Sequence, residues 1–138
     1  MPPPNEKPFI HLLVVDDHAG VRRILCRLLQ REPDFSLLGE AQTGAEALQK
    51  AKDLRPDVIL VDISLPDMSG LDLTKKLREV EPSAEVLIVS DYSEGEIKKA
   101  FVAGARGYLL KSDAGIELAT AVRTVNKKEQ YLSVKLRK

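Results

Sequence analysis

Five times along the chain a short apolar run precedes a stretch whose apolar residues recur at helical spacing. That alternation restricts the fold more than any other feature of the sequence. The runs are Phe9 to Val15, the weaker Phe35 to Ala41, Asp57 to Val61, Glu85 to Val89 and Arg106 to Leu110. Aliphatic runs of this length suit strands buried on both faces. After the first run, Val21, Ile24, Leu25, Leu28 and Leu29 form one helical face, with Arg22, Arg23, Cys26 and Arg27 off it. Thr43-Gly44-Ala45-Glu46 and Ser93-Glu94-Gly95-Glu96 have capping-box form, and Ser69 to Asp72 opens a further helix. A last helix is expected from about Ala114 to Lys128. Short connections between such units require parallel strands with helices on both faces. The pattern therefore predicts an α/β fold, a doubly wound five-stranded parallel sheet, over residues 9–128.

The rest of the chain adds little to that core. Residues 1–8 carry four prolines and read as a flexible N-terminal tail, and 129–138 as a C-terminal tail or the start of a linker. Basic and acidic residues balance at 21 each, so net charge argues for neither nucleic acid nor a membrane surface. No apolar run approaches the roughly 20 residues that span a bilayer, so no membrane partner is expected. A single cysteine, Cys26, excludes an internal disulfide and fits a cytoplasmic setting.

In open α/β sheets, ligands sit beyond the carboxyl ends of the strands. Asp16 and Asp17 follow the first run, Asp62 the third, Ser90 the fourth and Lys111 the fifth. Each alone has an ordinary structural explanation: a helix cap, a turn residue or a solvated charge. Together, four separate loops bring three carboxylates, a hydroxyl and an ammonium to one edge. Adjacent carboxylates repel unless a cation joins them. Mg²⁺ binds through one or two carboxylates, waters and phosphate oxygens. A carboxylate can also act as a nucleophile and form an aspartyl-phosphate. A lysine, a hydroxyl and a metal would neutralise the charge that phosphoryl transfer spreads over oxygen.

Val14-Val15-Asp16-Asp17-His18, Val61-Asp62 through Ser69-Gly70, Val89-Ser90 and Gly104 through Lys111 stand in an order that resembles the receiver domain of two-component response regulators. The Asp-Asp-His start, Gly107-Tyr108-Leu109-Leu110-Lys111 and Tyr131-Leu132-Ser133 resemble the NarL/LuxR-type subclass. The resemblance implies a flavodoxin-like (βα)5 fold with strand order 2-1-3-4-5. It implies that Asp62 accepts a phosphoryl group from a sensor histidine kinase or phosphotransfer protein. Mg²⁺ would be held by Asp17, Asp62 and the Ser64 carbonyl, with Asp16 acting mostly through water. Lys111 and Ser90 would contact the phosphoryl group, and Tyr108 would turn inward behind Ser90. The face of helix four, strand five and helix five would carry the signal. The output would be transcription, through a DNA-binding domain absent from this chain; a homodimer is compatible with it. Such a protein is a regulator with self-catalysed phosphorylation and dephosphorylation, not an enzyme acting on others. The chain is then either a receiver fragment or a lone receiver, the subclass match at its end favouring a fragment.

Two positions depart from the family pattern. Ser112 stands where many receivers have a proline after the lysine, and Asp91 where a small residue follows the switch hydroxyl. If Asp91 faces the site, its charge disfavours the phosphorylated state; if not, it is a solvated surface residue. With Ser64 and Tyr92 it is expected to tune the lifetime of the phosphoryl group. His18 has no second His or Cys beside it and reads as a helix-start residue, not a ligand. Three rivals remain in view. A binding module that docks without phosphorylation would not need the Asp, Ser and Lys set. A flavin carrier would need a hydroxyl- and glycine-rich loop where Asp16 and Asp17 stand. A phosphatase would turn over substrate, whereas here hydrolysis only ends the signal.

Overall fold

The computed structural model describes residues 9–91 and 94–137. The expected tail 1–8, Tyr92 and the capping residue Ser93 lie outside them. The elements run β1 (Ile10–Val15), α1 (Ala19–Gln30), β2 (Phe35–Ala41), α2 (Gly44–Leu54), β3 (Val58–Val61), α3 (Gly70–Val80), β4 (Glu85–Ser90), α4 (Glu94–Ala103), β5 (Gly107–Leu110), α5 (Ala114–Asn126) and β6 (Tyr131–Leu132). Short 3₁₀ turns at Lys111–Asp113 and Val134–Leu136 flank the last helix and strand.

The sheet order is β2-β1-β3-β4-β5-β6, and every pairing is parallel. The five expected strands are present in the implied order, but the sheet has six. β6 is two residues long and lies in the segment read as tail or linker. No apolar run marks it, because its backbone is held by the free edge of β5 rather than by burial of its own sequence. The last helix stops at Asn126, and Lys128 then takes a left-handed conformation.

Alternate strand residues fill the two faces, as a period of two demands. Leu12, Val14, Leu60, Leu87, Val89 and Leu109 pack with Leu25 and Leu29 of α1 and Leu118, Ala121 and Val122 of α5. Leu13, Val15, Ile59, Val61, Ile88 and Tyr108 pack with Ala47 of α2, Leu73 and Leu77 of α3 and Ala100 of α4. Both faces are apolar, and the carboxylates next to β1 and β3, Asp16, Asp57 and Asp62, stand just beyond the strand ends.

The α1 face differs from the expected one at two positions. Ile24 is 60% exposed, whereas Cys26 is buried. The helix turns so that Leu25, Cys26 and Leu29 meet the sheet, and Ile24 falls outside this narrower stripe. Among the described residues, no helix is long and apolar enough to cross a membrane.

Candidate phosphoacceptor and metal site

The chain turns out of β1 and β3 at Asp16 and Asp62, where the ladder ends. The Asp16 N–H donates to the Ala41 carbonyl and the Asp62 N–H to the Val15 carbonyl, at 3.0 Å each. These bonds lock both residues to the sheet, so their carboxylates share its carboxyl edge. Both are buried; Asp17 is exposed. Oxygens of Asp16, Asp17 and Asp62 lie within 4.8 Å of one another.

From the end of β5, Lys111 reaches into the same place. Its Nζ lies 3.2 Å from Asp62 Oδ2 and 3.4 Å from Asp16 Oδ2. Burial alone would lower the Lys111 pKa, but Asp62 and Asp16 outweigh it and hold the ammonium above its ordinary value. Burial first, then repulsion from Asp16, pushes the Asp62 carboxyl up, and Lys111 and the Ser64 N–H offset only part of this. The site thus holds more negative charge than its one ammonium balances. Asp16 Oδ1 accepts the His18 N–H at 2.8 Å, while Asp16 Oδ2 is buried and has no hydrogen-bond partner. An all-oxygen donor set, with a buried carboxylate oxygen held only by the Lys111 ion pair, fits a hard divalent cation.

Ser90 is the last residue of β4, buried beside this edge. Tyr108 is fully buried, already turned inward on the α4 side of the sheet. Burial pushes its phenol up, and the nearby Ser90 hydroxyl offsets part of the shift. The phenol oxygen makes no hydrogen bond of ordinary geometry among the described residues. Asp91 is exposed. Ser64 is exposed and forms a lone antiparallel bridge with Ser69. His18 is the α1 N-cap, its Nδ1 accepting the Val21 N–H at 3.2 Å. None of the described peptide bonds is cis, Lys111–Ser112 included.

The loop after Asp62 is held from two sides. The Gly70 N–H donates to the Ile63 carbonyl at 2.7 Å. At its tip, the two Asp67 oxygens accept the N–H groups of Gly44 and Ala45, capping α2. Motif reading also passed over Arg22, placed only by its position off the apolar face. Its Nη1 donates to the Asp16 carbonyl at 2.8 Å and its Nε to Glu40 at 2.9 Å, tying the acidic turn to β2. Sequence spacing carries no signal for either contact: Asp16 lies across the turn that starts α1, and Glu40 is 18 residues away on β2.

Comparison with known proteins gives one consistent answer. The family model described as the response regulator receiver domain matches residues 12–123. The transcriptional regulatory protein LiaR of Bacillus subtilis is 36% identical over 128 residues, 92% of this chain and 61% of that protein. The DNA-binding transcriptional activator DevR/DosR of Mycobacterium tuberculosis is 40% identical over 117 residues, 84% of this chain and 54% of that protein. The chain therefore spans little more than half the length of these relatives. Among solved structures, a LuxR-family response regulator from Aurantimonas superposes with a TM-score of 0.88 at 30% identity, covering 93% of this chain and 92% of that one. The signal receiver domain of NarL from Mycobacterium tuberculosis gives 0.83 at 32% identity, covering 88% and 98%.

Proposed function

This chain belongs to the response regulator receiver domain family, with relatives of the NarL/LuxR type, and from that premise we propose that Asp62 is its phosphoacceptor. One observation carries the reading: Lys111 Nζ stands between Asp62 and Asp16, whose Oδ2 is otherwise unpartnered. An Asp62 oxygen attacks the phosphorus of a phosphohistidine on a sensor kinase or phosphotransfer protein. The P–N bond breaks, and the imidazole leaves as the aspartyl-phosphate forms.

Asp17, Asp62 and the Ser64 carbonyl would hold Mg²⁺, with Asp16 in support. When bound, the ion supplies positive charge against the phosphoryl oxygens. Lys111 neutralises a further phosphoryl oxygen, and the Ser90 hydroxyl donates to another. Tyr108, buried behind Ser90, couples that contact to the face formed by α4, β5 and α5, where the two states differ. Phosphorylation shifts their balance only by its differential contacts with each. Asp91 and Ser64, both exposed, tune the lifetime, together with Tyr92. The chain is a switch acting in the cytoplasm, and loss of the phosphoryl group is its own slow hydrolysis. Transcription would be the output, through a DNA-binding domain outside residues 1–138.

The test is intact mass after incubation with acetyl phosphate and Mg²⁺. Wild type should gain one phosphoryl mass and Asp62→Asn none. Equal labelling of the two would overturn the assignment.

A further inference from the structure

We propose that Ser133 is a positioning residue for Lys111, through which the segment after α5 bears on the phosphoacceptor site; this rests on the reading of Asp62 and Lys111 given above. Ser133 is polar yet fully buried. Its N–H donates to the Tyr108 carbonyl at 3.0 Å, and its Oγ accepts the Leu110 N–H at 2.8 Å. β6 ends one residue earlier, and its backbone then turns away. The Ser133 hydroxyl thus stands where the next strand carbonyl would accept, and completes the ladder at the last residue of β5.

The residue beyond that bond is Lys111. On its far side, Asp113 pairs with Lys135 Nζ at 3.1 Å. One short segment, Ser133 to Lys135, therefore grips both flanks of the lysine. The segment is itself seated on α5. Glu117 Oε1 accepts the Tyr131 hydroxyl at 2.6 Å and the Val134 N–H at 3.0 Å. A lysine side chain is flexible, so where its ammonium dwells depends on how firmly its backbone is set. Loss of the Ser133 hydroxyl leaves a buried Leu110 N–H without an acceptor and frees that backbone. Conversely, anything that pulls on the segment after Leu132 reaches Lys111 through two bonds of β5.

The experiment compares full-length wild type, Ser133→Ala, Lys135→Ala and Val58→Ala. The last is a core variant at the far end of β3, chosen to lower stability without touching Lys111 or its flanks. The readouts are the Lys111 side-chain NMR resonance, Leu110 amide exchange and the rate of labelling by acetyl phosphate at saturating Mg²⁺. Ser133→Ala should speed Leu110 exchange by about tenfold or more, move the Lys111 resonance and slow labelling. Lys135→Ala, at an exposed position, should move the resonance less. Val58→Ala should leave it in place. A Lys111 resonance unchanged in Ser133→Ala, or moved no further than in Val58→Ala, overturns the proposal. Should Ser133→Ala not fold, an unmoved resonance in Lys135→Ala does the same. Wild type that takes no label refutes the phosphoacceptor reading instead, and the resonance then decides the role of Ser133 alone.

Discussion

A β-carbon placed on Gly70 would lie 2.2 Å from the carbonyl oxygen of Asp62. The first turn of α3 therefore presses on the backbone of the proposed phosphoacceptor. The glycine is required by this close approach, not by an unusual backbone angle. Gly70→Ala should force the two backbones apart and cost about 1–3 kcal/mol, read as a lower urea midpoint. A midpoint equal to wild type would show that the turn yields without strain.

Asp62→Asn should leave the metal-free protein at least as stable as wild type at neutral pH. The folded carboxyl is raised by burial and by Asp16. Its contribution to stability is therefore present below the unfolded carboxylate range and lost as pH rises through the folded value. The amide removes that loss while preserving shape. A clear fall in Tm in chelator would mean that the Lys111 pair outweighs desolvation.

Asp17→Ala should weaken Mg²⁺ binding by at least about tenfold, the scale for disturbing a metal's ligand shell, while barely changing Tm. Asp17 is exposed, so its loss is felt by the ion more than by the fold. Calorimetric titration checks the binding and a thermal melt the Tm. A wild-type isotherm would place the ion elsewhere.

Asp91→Ala should raise the phosphorylated fraction by no more than about twofold at low salt, and by nothing measurable near 1 M salt. The side chain is exposed, so its charge acts on the site through solvent. The screening length falls to about 3 Å at 1 M. An effect that persists in high salt would require a direct contact with the phosphoryl group.

At the opposite end of the sheet, Glu85 is buried against Arg106 at 2.9 Å, Lys128 at 3.0 Å and Arg78 at 3.8 Å. Burial alone would raise its carboxyl, but hydrogen bonds from Arg106 and Lys128 and the charge of Arg78 hold it below the ordinary range. Its stabilising effect is thus present above the unfolded carboxylate pKa, about 4.3, and lost as pH falls through the folded value. Glu85→Gln should cost on the order of 3 kcal/mol at neutral pH and flatten the acid limb of the stability curve. Parallel acid limbs in the two proteins would contradict this.

The sequence by itself determined the layered fold and which candidate site residues meet at its carboxyl edge. Apolar runs such as Val58–Val61 can be satisfied only as strands covered on both faces, and short connections make them parallel. Asp16, Asp62 and Lys111 stand directly after such runs, so their convergence follows from chain direction alone. What only the tertiary structure decided depends on contacts between distant residues. The sixth strand exists because β5 offers a free edge, not because Tyr131-Leu132 is strongly strand-forming. Ile24 and Cys26 exchange the sides expected of them, because the rotation of α1 is set by packing against α5 and the sheet. The grip of Ser133 on Leu110 spans 23 residues, and that of Arg22 on the Asp16 turn depends on Glu40 across the sheet edge. Local spacing is silent on such pairs, since a hydrogen bond between elements is defined only once both elements have been packed.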